Sequence, residues 1–240
     1  MKAPASNLPM LGSGEMFDRI ARRYDLVNRV LSFGLDVGWR RRTVRALQLG
    51  ERPRVLDVAT GTGDLAIEIA KQRPAASVVG LDPSQNMLAI AARKLVRRDI
   101  ADRVALVPGD AQQLPFRSCE MDAATIAFGI RNVPDRLAAL RELARVVRPG
   151  GRVAVLELGE PRRKLIGRLA RFHTWHVVPR LGALLSGARE YAYLQRSIAA
   201  FPPAGEFVAL MQEAGLHVIE VAPLTFGACT LYVATPSEDA

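Results

Sequence analysis

Between Val55 and Leu65 the chain reads VLDVATGTGDL. The apolar residues at 55–58 fall on both parities, broken only by Asp57, so the run has no polar face. Such a run reads as a strand covered on both sides. Gly61 and Gly63 then supply a tight turn. DLAIEIAKQ (64–72) follows with helical spacing. A doubly buried strand, a glycine turn and a helix in succession point to a parallel sheet sandwiched between helices.

The alternation continues along the chain. Strands are expected at 54–60, 77–82, 103–110, 121–128 and 152–158. Helices are expected at 64–72, at 84–98 with Ser84 as N-cap, and at 134–147. Pro134 suits a first helical turn, and Pro149-Gly150-Gly151 reads as that helix's stop. A helix at 203–214 precedes two strands, 217–224 and 228–235, separated by Thr225-Phe226-Gly227. So short a link forces antiparallel pairing, because a parallel crossover needs a dozen or more residues. Residues 1–14 read as a flexible lead-in and 15–236 as a single domain. Within it, 15–50 form capping helices and 162–200 a helical insertion.

Composition narrows the function. A chain of 240 residues suits one sizeable domain. There is no apolar run of membrane-spanning length, and MKAPASNLPMLGSGEMF lacks the apolar core of an export signal. Cys119 and Cys229 fit neither a metal spacing nor a disulfide framework, which points to a reducing, cytoplasmic setting. The formal net charge is +9, and residues 162–189 carry seven Lys or Arg and no acid. With Leu165, Phe172 and Trp175 interleaved, 162–187 suits peripheral contact with an anionic membrane surface. The alternative is a packed lid with an ordinary solvated face. Self-association is compatible with the pattern, which selects no oligomeric state.

In an open parallel sheet the ligand lies at the carboxyl ends of the strands, where strand order reverses. Gly61 and Gly63 sit at that end of the first strand. Asp82 ends the second strand, 21 residues after Gly61, where a carboxylate can accept from ribose hydroxyls. A nicotinamide dinucleotide and a sulfonium methyl donor would both suit these features. Three details favour the sulfonium. Ala66 stands where a dinucleotide fingerprint has its third glycine. Asp57 and Asp64 would repel a pyrophosphate and attract a sulfonium and an α-amino group. Gly109-Asp110-Ala111 ends the third strand with an acceptor for an adenine amino group. S-adenosyl-L-methionine is therefore the expected cofactor, with a nicotinamide-dependent reductase as the rival of a different class. Asp82 and Asp110 would serve as turn caps under either reading. The fourth strand ends in Ala-Phe-Gly-Ile-Arg-Asn, without a carboxylate for metal-assisted catechol chemistry. It also lacks the Asn/Asp-Pro-Pro-aromatic turn of a nucleic-acid base methyltransferase, so neither metal nor nucleic acid is expected.

Longer motifs carry a resemblance. FDRIARRYDLVNRVLSFGLDVGWRR (17–41), DVATGTGDL (57–65), GDAQQLPF (109–116), AFGIRNV (127–133), LRELARVVRPGG (140–151), EYAYLQRSIAAFP (190–202) and LTFGACTLYVA (224–234) run nearly end to end. Together they resemble the C-methyltransferases of quinone biosynthesis, which act on demethylmenaquinol and on the polyprenyl benzoquinol precursor of ubiquinone. The resemblance implies a Rossmann-like class I S-adenosylmethionine-dependent methyltransferase fold. Its mostly parallel seven-stranded sheet would end in an antiparallel hairpin strand. It implies C-methylation of a polyprenyl quinol, demethylmenaquinol first, with the benzoquinol or another aromatic as alternative acceptors. By match of motif, Thr62, Asp82, Asp110 and Ala111 belong to the donor site; the reading of the turn adds Asp57, Gly61 and Gly63, and Ala127 joins them without a side-chain bond. Three departures fall near the acceptor. Ala127 stands where the family has Ser, Gly159-Glu160-Pro161 replaces S-x-P, and Arg196 replaces an acid.

The implied reaction needs an ionised ring hydroxyl beside the attacking carbon, held in line with the methyl group. Arg131 is the first choice for the anion, with Asp64 as a partner that could fix a water between them. The plainer alternative is an arginine that bonds an acid to hold its turn. Asn132 positions the ring or caps the helix that follows. Tyr24, His176 and Tyr193 are candidates for the hydroxyl groups, His176 also for the base.

Overall fold

A computed structural model describes Asp25, Arg29, residues 32–159 and residues 188–237. Helix α1 (Leu35–Ala46) leads into five strands, three of them followed by a helix. These comprise β1 (Arg54–Val58), α2 (Asp64–Gln72), β2 (Ser77–Asp82), α3 (Gln85–Val96), β3 (Val104–Pro108), β4 (Met121–Ala127), α4 (Arg136–Val146) and β5 (Val147–Leu158). The chain closes with α5 (Ala188–Ala199), α6 (Ala204–Glu213), β6 (Leu216–Leu224) and β7 (Cys229–Pro236).

The seven strands lie in the order β3-β2-β1-β4-β5-β7-β6. The pairs from β3 to β5 are parallel, and β7 runs antiparallel to both neighbours. Strand order reverses between β1 and β4, which opens a crevice at their carboxyl ends. Alternation along β1 sends Val55 to one face and Leu56 and Val58 to the other. On the first face Trp39, Val44, Leu65, Ile69 and Leu95 pack from α1, α2 and α3. On the second, Leu140, Leu143, Phe207 and Met211 pack from α4 and α6. Phe207 lies edge-on to Tyr232 of β7, with ring centroids 4.9 Å apart.

The expected mostly parallel sheet with a terminal hairpin is what forms. Local boundaries differ for identifiable reasons. Strand β1 ends at Val58, because Ala59 takes a left-handed φ of 50° and starts the turn early. Pro149-Gly150-Gly151 is not a stop between helix and strand. Helix α4 ends at Val146, and β5 begins at once and swells outward through Arg148–Gly150. A Cβ on Gly151 would lie 2.5 Å from the Asp122 carbonyl, so only glycine closes this bulge. The N-cap of α4 is Asp135, whose carboxylate accepts from the Ala138 N–H at 2.9 Å. Asn132 lies earlier, in a 3₁₀ turn over Ile130–Asn132, and does not cap the helix. Ser84 caps α3 as expected, accepting from Met87 N–H at 3.1 Å. The β6–β7 turn is tied to α1 by Trp39 Nε1, which donates to Thr225 Oγ1 at 2.9 Å. Asp25 and Arg29 are both helical, ahead of α1.

Candidate active site

The glycine turn rests on one carboxylate. Asp57, on β1, is almost wholly buried. Its Oδ2 accepts from Thr60 Oγ1 at 2.6 Å and from the Ala66 N–H at 3.1 Å. Its Oδ1 accepts from Thr125 Oγ1 of β4 at 2.8 Å. Burial pushes its pKa up to about 6, against the pull of the Thr60 and Thr125 hydrogen bonds and of the Arg40 charge. Asp57 therefore shapes the turn from beneath and borders the cleft.

Beside it, Asp82 is also buried. Its Oδ2 accepts from the Gly61 N–H at 2.8 Å, and its Oδ1 from the Ser84 N–H at 2.9 Å. A Cβ on Gly61 would meet nothing within 4 Å, so open space lies over the turn. A cleft there is bordered by the turn, by Asp25 and Arg40 from the N-terminal side, and by Ala127 and Phe128 at the end of β4. Asp110 is exposed past β3 and accepts from the Gln112 N–H at 2.9 Å, while Ala111 is buried beside it.

The other residues at the turn form a charged knot. Thr62 Oγ1 donates to Asp25 at 2.5 Å and accepts from Lys94 Nζ at 3.0 Å. Lys94, from α3, also donates to Asp25 at 2.8 Å and to Asp64 at 2.5 Å. Arg29 reaches the other Asp64 oxygen at 3.5 Å. Burial alone would raise the Asp64 pKa, but Lys94, Arg40 and Arg29 together hold it below its usual value.

The expected Asp64–Arg131 pair does not form. Asp64 is held by Lys94, while Arg131 Nη1 donates to Glu157 Oε1 at 2.7 Å. The pair is buried, and Glu157 also accepts from the Arg131 N–H at 3.2 Å and the Leu158 N–H at 2.8 Å. Arg131 Nη1 further donates to the Phe128 carbonyl. Its charge is thus matched by a carboxylate, and it holds the turn after β4. Past the end of β4, Tyr193 of α5 donates through its hydroxyl to Asn132 Oδ1 at 2.8 Å. Two of the sequence candidates meet here. Burial raises the Tyr193 pKa, opposed by the charges of Arg131 and Arg136. Tyr24 and His176 lie outside the described residues.

Sequence reasoning missed Glu157, Lys94, Asp25, Thr125 and Arg40. Glu157 lies in the strand expected at 152–158, as its one acid among apolar residues, which was a usable signal. Lys94 carried none, being one of two adjacent basic residues on α3. No group of three or more His, Cys, Asp or Glu able to hold a metal occurs among the described residues.

The strand order, the glycine turn, the paired Asp57 and Asp82 and the open space above Gly61 define a Rossmann-like methyltransferase. The donor of that class is S-adenosylmethionine, and the residues at the strand ends fit it. The sequence profile of the ubiE/COQ5 methyltransferase family matches residues 11–236, and the chain belongs to that family. It is 48% identical to the ubiquinone/menaquinone biosynthesis C-methyltransferase UbiE of Syntrophotalea carbinolica, over 90% of this chain and 91% of that one. It is 47% identical to the demethylmenaquinone methyltransferase of Thermus thermophilus, over 91% and 98%. Among solved structures it resembles a putative S-adenosyl-L-methionine-dependent methyltransferase from Methanococcus maripaludis, with a TM-score of 0.70 at 17% identity over 98% of both chains. It also resembles the [4+2]-cyclase SpnF, with a TM-score of 0.72 at 18% identity over 95% and 97%. Those two likenesses are of fold alone.

Two predictions follow from the buried charges. Arg131→Ala leaves Glu157 buried without its cation and should lower stability by about 3–5 kcal/mol. Glu157→Gln in the same background should recover part of the loss in urea denaturation. The second concerns pH. Between its unfolded pKa of 3.8 and its folded pKa of about 6, Asp57 keeps a proton only in the folded state. Its contribution to stability therefore falls as pH rises through that window, by about 3 kcal/mol in all, and is flat above it. Asp57→Asn removes that slope. The wild-type minus mutant stability, measured from pH 4 to pH 7, should decline over this range; a constant difference would contradict the assignment.

Proposed function

We propose that this chain methylates a ring carbon of a polyprenyl quinol, converting demethylmenaquinol to menaquinol. The observation that carries the reading is the Tyr193–Asn132 hydrogen bond on the acceptor side. Asn132 Nδ2 points back to the Phe128 carbonyl at 3.4 Å, and Phe128 borders the donor cleft. A phenol and an amide therefore stand next to the place where the methyl group would be presented. Bound S-adenosylmethionine supplies the electrophilic methyl. Tyr193 and Asn132 orient the quinol hydroxyl, and Arg131 fixes the turn that carries Asn132. Asp82 receives the ribose hydroxyls, and Asp110 with the Ala111 backbone receives the adenine. Ala127, which offers no hydroxyl, contributes its backbone. Naphthoquinol is preferred over benzoquinol because the relatives from Thermus thermophilus and Deinococcus radiodurans, 47% and 43% identical, are named demethylmenaquinone methyltransferases.

The test supplies reduced demethylmenaquinol and, in parallel, the benzoquinol precursor, each with S-adenosylmethionine, and follows methylated product by mass. The naphthoquinol should be the better acceptor, and turnover of neither would end the proposal. Tyr193→Phe keeps the ring and removes one hydrogen bond. It should lower kcat/KM for the quinol roughly tenfold, leaving affinity for S-adenosylhomocysteine unchanged.

The isoprenoid tail of such a substrate resides in a membrane. We propose that residues 162–187, which lie outside the described residues, contact its anionic surface. No helix among the described residues is long and apolar enough to cross a membrane. Co-sedimentation with liposomes should rise with anionic lipid and fall with salt. Equal binding to neutral vesicles would remove the electrostatic basis of the idea.

A further inference from the structure

Arg40 is a cation on α1 that borders the donor cleft, and the site described above gives it only the pull of its charge on Asp57 and Asp64. It is nearly buried, at 9% exposure. Its Nη1 donates to Asp36 Oδ2, one helical turn earlier. Its guanidinium carbon lies 5.2 Å from the centre of the Phe128 ring. Asp36 is held in turn by Ser32 Oγ, which donates to its Oδ1 at 2.8 Å. The planar fork is thus fixed on one nitrogen and stacked on one face, and other N–H groups remain for a ligand.

The bordering residues of the cleft include three carboxylates, Asp25, Asp57 and Asp64, and among the described residues Arg40 is the one cation that borders it. The amino-acid end of S-adenosylmethionine carries an ammonium and a carboxylate. The acids suit the ammonium and sulfonium, but a carboxylate entering the same cleft would be repelled. Lys94 lies behind the turn and is already shared by Asp25 and Asp64.

We propose, on the reading that the donor is S-adenosylmethionine, that Arg40 binds the α-carboxylate of its methionine part. Through that bond the donor ties α1 to the glycine turn, so that the N-terminal cap and the donor site close together. A guanidinium on a carboxylate is a strong charge-assisted pair.

The test is a cycle of variant against ligand. Binding of S-adenosylhomocysteine and of its decarboxylated analogue is measured calorimetrically on the full chain. The wild type should prefer the carboxylate-bearing compound roughly 10- to 100-fold. Arg40→Met keeps an apolar stem against Phe128. It should bind the two compounds within about threefold of each other and hold the analogue as well as the wild type does. The double variant Arg40→Met with Asp36→Asn restores charge balance, should give the same ratio, and serves if the single variant is unstable. A preference retained by both variants would overturn the proposal. Equal weakening of both compounds would also overturn it, making Arg40 only a support for the cleft wall. A wild type that binds both compounds equally tightly would leave the donor reading standing and remove the role of Arg40. A wild type that binds neither would remove the donor reading and the proposal with it.

Discussion

Asp57 is the constraint on which the donor side depends. A carboxylate in the middle of a doubly covered strand is costly to bury, and its pKa stays raised, at about 6, even with its hydrogen bonds in place. Three donors from three elements offset it: Thr60 in the turn, Ala66 in α2 and Thr125 in β4. The positive end of the α2 dipole adds to the compensation. Because each donor is needed, their relative positions are fixed. The turn between β1 and α2 has little freedom, and Ala59 is held at a left-handed φ of 50° that an alanine otherwise avoids. Gly61 is then presented to Asp82, whose carboxylate takes its N–H. One buried acid thus fixes the turn, and the turn fixes the second acid.

Charge is arranged around this clamp in a chain of alternating sign. Lys94 joins Asp25 to Asp64, Arg29 joins Asp64 to Asp36, and Asp36 holds Arg40. The links differ in weight. The Arg29 side chain is 45% exposed, so water and salt screen its contacts and little stability comes from them. Lys94 is only 14% exposed, and its partners sit on both the N-terminal segment and the glycine turn. Such a pair is poor evidence for net stability, since desolvation opposes the attraction. Its geometric consequence is firmer: the segment bearing Asp25 is located against the turn.

Much of this was legible in the sequence, and the misses share a cause. Strands, helices and their order are encoded by local periodicity, which is why the alternating pattern gave the parallel sheet and the short link gave the hairpin. The turn, Asp82 and Asp110 were legible because each sits at a strand's carboxyl end, a place the topology brings together. The partner of Arg131 was not legible. Glu157 is 26 residues away and meets it through the β4–β5 register, in which Ala127 faces Leu156. Asp64 looked like the partner because it lies in the turn, yet it is claimed by Lys94, 30 residues on. Pro149-Gly150-Gly151 misled for a different reason: its residues suit a helix stop and a bulged strand equally, and the close approach to Asp122 decided it.

The same contrast separates the two halves of the site. The donor half is built where consecutive strands end, from contacts that the parallel sheet makes almost unavoidable. The Asn132–Tyr193 contact instead joins a residue after β4 to one on a helix 61 residues further along. The departures from the family pattern can be placed in this structure. Ala127 borders the cleft where β4 ends, and Gly159 follows β5 with its N–H donated to the Ala228 carbonyl at 3.1 Å. Arg196 lies on α5 three residues after Tyr193, exposed, while Ser197 beside it donates to the Leu194 carbonyl of its own helix. None of these changes touches the Asp57 clamp, so the acceptor wall can vary while the donor turn stays the same. That independence is consistent with one fold serving both methyltransferases and a [4+2]-cyclase.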